Sequence, residues 1–86
     1  MNSNAPIVFR RYSVSHLSDV VYGIQPMTSE MAEVIRTLRR DHNVDYGRLG
    51  FYLCESDPDQ GASFGLGKAL TELAAIQLGD RDAAWT

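Results

Sequence analysis

Four sets of side chains in this sequence are of types that do chemistry, and their spacing decides what each can do. The first is the run Gly61-Ala62-Ser63-Phe64-Gly65-Leu66-Gly67-Lys68-Ala69. The backbone N–H groups of a glycine-rich loop can cradle phosphates when a lysine stands behind them. The phosphate loop of nucleoside triphosphatases needs Gly where Ala62 stands, and a metal-binding Ser or Thr where Ala69 stands. A dinucleotide fingerprint needs its third glycine at Leu70, with a strand before the loop. Both patterns fail, so no cofactor is expected and the glycines read as a loosened loop and a helix start.

The second set is Glu55, Asp57 and Asp59 with Gly61. A calcium loop places Gly directly after its third acidic ligand, where this chain has Gln60, and follows with a bidentate Glu that is missing here. The stretch reads as a solvated acidic turn. The third set is His16, His42 and Cys54, the available nucleophile or metal-ligand types, which are far apart in sequence and lack local ligand spacing. His42 is better explained by a helix C-terminus, and Cys54 by its place beside Leu53 near the core. Glu30 and Glu33 fit the positive end of a helix dipole, and Glu33 can pair with Arg36. No catalytic residue and no metal ligand is assigned, and the chain is expected not to be an enzyme.

The fourth set is basic. Arg36, Arg39, Arg40 and Arg48, with Arg10 and Arg11 as further members, gather the positive charge of an acidic protein. The net charge is −3, yet the first 54 residues carry +1 and the remainder −4. An anionic partner would therefore meet the first half of the chain, although the overall balance disfavours nucleic acid. The alternative is a solvated basic face without a ligand. Trp85 has two readings as well: it folds back over the core, or it anchors a partner, as tryptophan does at binding hot spots.

The rest of the composition sets the frame. A chain of 86 residues, 44% hydrophobic, is read as one globular domain. The lone cysteine points to a reducing cytoplasm, and no apolar run is long enough to span a bilayer, so no membrane partner is expected. The first six residues have no signal-peptide pattern and are expected to be flexible; 80–86 is a short C-terminal tail.

Helices must position these groups. The strongest evidence covers 28–42. Thr28 can cap the first turn, Met31, Val34, Ile35 and Leu38 form an apolar stripe, and Arg39, Arg40 and His42 lie at the negative end of the dipole, with Asn43 as C-cap. A second helix is expected from an Asp45 cap to about Cys54, with Tyr46, Leu49, Gly50 and Leu53 on one face over Val44. A third is expected from near Ser63 to Gly79, with a stripe of Leu66, Leu70 and Leu73 that Ala75, Ile76 and Leu78 broaden. So apolar a helix must be central or shared with a second subunit. Before them, 7–15 reads as extended. Residues 17–24 are ambiguous: either 20–25 pairs with 7–15 as a hairpin, or a lone strand leads into a short helix capped by Ser18.

Within 35–53, the pattern Ile35-Arg36, Leu38-Arg39-Arg40, Asn43-Val44-Asp45-Tyr46-Gly47-Arg48-Leu49-Gly50 and Leu53 resembles the first part of many bacterial helix-turn-helix domains. That family places an aliphatic and a small residue on its second helix, here Leu49-Gly50, and a leucine three places on, here Leu53. The resemblance implies tri-helical packing. It departs where DNA reading would lie, because an acidic loop replaces the tight turn and the next helix offers only Lys68, Thr71, Glu72 and Gln77 as polar readers. A looser layout covers about two-thirds of the chain. It runs through Pro26-Met27-Thr28, Leu38-Arg39, Tyr46-Gly47-Arg48-Leu49, Gly67-Lys68-Ala69-Leu70, Leu78-Gly79 and Trp85. This layout resembles small bacterial proteins of no assigned activity, some encoded on mobile elements such as integron gene cassettes.

The expected fold is mainly α: a three-helix, helix-turn-helix-like core with an N-terminal extended segment or β-hairpin, α+β being the alternative. The expected function is that of a small non-enzymatic binding or regulatory protein, with a DNA-binding regulator as runner-up and an enzyme a distant third. Homodimerisation is expected, with a protein partner as the further possibility. The contact residues would be Arg36, Arg39, Arg40, Arg48 and Trp85.

Overall fold

The computed structural model describes residues 9, 11–55 and 65–79. Four helices occupy most of them: α1 (Val14–Val21), α2 (Ser29–Arg40), α3 (Tyr46–Leu53) and α4 (Gly67–Gln77). The fold is mainly helical. Ser3, the rest of 1–6, the loop positions 56–64 with Ser63, and the tail 80–86 with Trp85 lie outside the described residues.

Helix α1 settles the ambiguous region. Ser13, in extended conformation, accepts from the His16 N–H through its side chain, so the helix starts at Val14 rather than behind Ser18. Its end is set by Gly23, whose φ of +78° is left-handed. The Gly23 N–H donates to Val20 O at 3.2 Å and the Ile24 N–H to Asp19 O at 2.8 Å, the paired bonds of a Schellman turn. Residues 20–25 thus spend their backbone groups on closing a helix, and the hairpin with 7–15 does not form there. Among the described residues, β pairing is confined to a parallel bridge between Tyr12 and Cys54. In it, the Tyr12 N–H donates to Leu53 O at 2.6 Å and the Glu55 N–H donates to Tyr12 O. This ties the entrance of α1 to the exit of α3.

Helix α2 follows its sequence signals closely. The Thr28 hydroxyl accepts from the Met31 N–H at 3.1 Å, and Met31, Ile35 and Leu38 are fully buried. Val34 is only half-buried and Ala32 takes its place in the core. The helix closes at Asp41, not Asn43; Asn43 instead takes a φ of +53°, which reverses the chain so that the Val44 N–H reaches Leu38 O at 2.9 Å. Asparagine tolerates that region better than other non-glycine residues. Asp45 then caps α3 by accepting from the Arg48 N–H at 2.9 Å.

Helix α4 is the centre of the molecule. It packs against α2 most extensively, and against α3 and α1 as well. Its inward face is Gly67, Leu70, Thr71 and Ala74, at i, i+3, i+4 and i+7. The expected stripe of Leu66, Leu70 and Leu73 is therefore rotated: Leu70 is buried, while Leu66 and Leu73 flank the core half-exposed. Small residues occupy the contact because α3 comes very close. A Cβ built on Gly67 would overlap the Tyr46 carbonyl oxygen and stand 3.1 Å from its Cα. The buried Thr71 hydroxyl donates to Gly67 O at 2.9 Å, so it enters the core without an unmet polar group. At the other end, Gln77 Nε2 donates to Ser29 Oγ at 3.4 Å. The start of α4 meets the α2–α3 junction and its end meets the start of α2, so α2 and α4 run antiparallel.

Candidate functional site

The arginines predicted to form one basic surface divide between two jobs. Arg39 is structural. From the last turn of α2 its Nη1 donates to Val44 O, and its guanidinium lies over the Tyr46 ring, 4.2 Å from the centroid. Its Nε is buried with no hydrogen-bond partner among the described residues. The backbone of that same Tyr46 abuts Gly67. Arg39, Tyr46 and Gly67 thus join α2, α3 and α4 at one end of the molecule, and the cation serves that junction.

Arg36 is paired locally. Its Nη2 lies 2.8 Å from Glu33 Oε1 and 2.9 Å from Oε2, one turn back on α2. Such a surface pair stabilises by only about 0.2–0.5 kcal/mol, but it neutralises charge that an anionic ligand would need. Arg40 and Arg48 are exposed, as is Arg11. Arg10 and Trp85 lie outside the described residues. Arg36 and Arg40 are one turn apart on α2, while Arg48 stands on α3, across the junction that Arg39 holds.

Of the expected polar readers on α4, Thr71 is buried and Gln77 is bonded to Ser29; Lys68 and Glu72 remain exposed. Both described histidines are engaged in aromatic contacts. The His16 ring stacks on Tyr12 at 5.2 Å between centroids with planes 14° apart, and His42 meets Phe9 edge-on at 6.0 Å. Phe9 also meets Tyr52 edge-on at 6.0 Å. Cys54 is a fully buried thiol at the Tyr12 bridge. Among the described residues, no group of three or more His, Cys, Asp or Glu side chains could hold a metal ion.

Sequence reasoning missed a different feature. Tyr22, Ile24 and Ile76 are 75%, 71% and 64% exposed. Tyr22 and Ile24 lie on the turn that ends α1 and leads into α2; Ile76 lies in the last turn of α4, next to the Gln77 that bonds to Ser29. Tyr22 and Ile24 stand shortly before α2, and Ile76 stands beside the residue that bonds to the first residue of α2. A Schellman turn ordinarily packs the residue after its glycine onto an apolar neighbour in the last turn. Here that neighbour is Asp19, so Ile24 is left outward. Asp19 five places before Ile24, with Gly23 between them, was the available signal. Compared with protein families, curated proteins and solved structures, the chain finds no match. No helix of the described residues is long and apolar enough to cross a membrane.

Proposed function

We propose that this chain is a small non-enzymatic binding or regulatory protein whose partner is another protein, met through the exposed apolar end formed by Tyr22, Ile24 and Ile76. The observation that carries this reading is their exposure. Single outward apolar residues are ordinary, but Tyr22, Ile24 and Ile76 are large and mostly exposed, and hydrophobic surface of this kind is what protein contacts cover. The resemblance in layout to small bacterial proteins of mobile elements, integron cassettes included, suits a regulator or inhibitor working in a bacterial cytoplasm, as does the buried Cys54 thiol.

Duplex DNA is the second reading, favoured by the exposure of Arg40 and Arg48. It is weakened by the commitment of Arg39 to Tyr46 and of Arg36 to Glu33. Capture from a nuclease-treated bacterial lysate separates the two, using the intact chain, the triple variant Tyr22→Ser/Ile24→Ser/Ile76→Ser and the double variant Arg40→Ala/Arg48→Ala. A stoichiometric protein should be retained by the intact chain and the arginine variant and lost from the triple variant. A duplex shift that weakens steeply with salt and vanishes in the arginine variant would replace this proposal with the DNA reading.

A further inference from the structure

We draw no further inference here: the strongest candidate, the exposed apolar end of the helical assembly at Tyr22, Ile24 and Ile76, belongs to the contact surface already proposed, and nothing in the structure shows what covers it.

Discussion

Arg39 and Arg36 are three residues apart on one helix, carry the same charge, and do different work. Arg39 donates to a backbone carbonyl and lies over an aromatic ring, so removing it forfeits a charge-assisted hydrogen bond and a cation–π contact. Arg39→Ala is expected to cost about 2 kcal/mol in urea unfolding. Arg39→Lys should recover only part of that, because an ammonium cannot lie flat on Tyr46 while donating sideways. Arg36→Ala, which breaks an exposed pair with Glu33, should stay within about 0.5 kcal/mol. Equal losses for the two alanine variants would show that Arg39 is no more structural than its neighbour. Gly67 makes a second test. Alanine in a helix is ordinarily favoured over glycine by about 1 kcal/mol, but here the added methyl meets the Tyr46 carbonyl. Gly67→Ala should therefore lower stability by roughly 1–3 kcal/mol, visible as a lower melting temperature. Sequence could show that four arginines were near one another along the chain. It could not show which were spent, because the Arg39 contacts depend on where the Asn43 reversal sends Val44 and Tyr46.

At the scale of elements, what was legible followed from how local the signals were. The caps of α2 and α3, Thr28 and Asp45, act within three residues of themselves, and both bonds form as their spacing implied. Helix α1 was misplaced for the same reason turned around. Ser13 and Gly23 bound it with local chemistry, but Val14 lay within a β-branched, extended-looking stretch, and Val20-Val21-Tyr22 suited a strand equally well. The inward face of α4 was not legible from its leucines, since its rotation is set by the close approach of neighbouring helices to its small residues, Gly67 above all. A prediction belongs at this scale. Gly23 is left-handed with open space around it, so Gly23→Ala meets no neighbour and suffers only backbone strain, about 1 kcal/mol. Gly65, which has the same open space without a left-handed φ, should accept alanine with no loss. Urea midpoints of the two variants compare them directly, and a Gly23→Ala chain as stable as the wild type would remove the Schellman turn as the stop signal for α1.

In the molecule as a whole, one of the described helices packs against the three others, and that changes what remains for a partner. The apolar girth of α4 suggested a second subunit from sequence. Within the chain, its small face is taken by close packing and its leucine flanks by the rest of the core, leaving Ile76 outward. Even taken together with Tyr22 and Ile24, it is far short of the roughly 20–30 residues a side that a stable interface uses. Self-association through this end alone should be weak. Light scattering across a dilution series is expected to show mass rising with concentration rather than a fixed dimer. The triple variant Tyr22→Ser/Ile24→Ser/Ile76→Ser should remain monomeric throughout. Because these side chains contribute little to the core, each substitution should change unfolding stability by less than about 0.5 kcal/mol, which separates lost association from lost folding. A concentration-independent dimer that survives all three substitutions would place the subunit contact elsewhere.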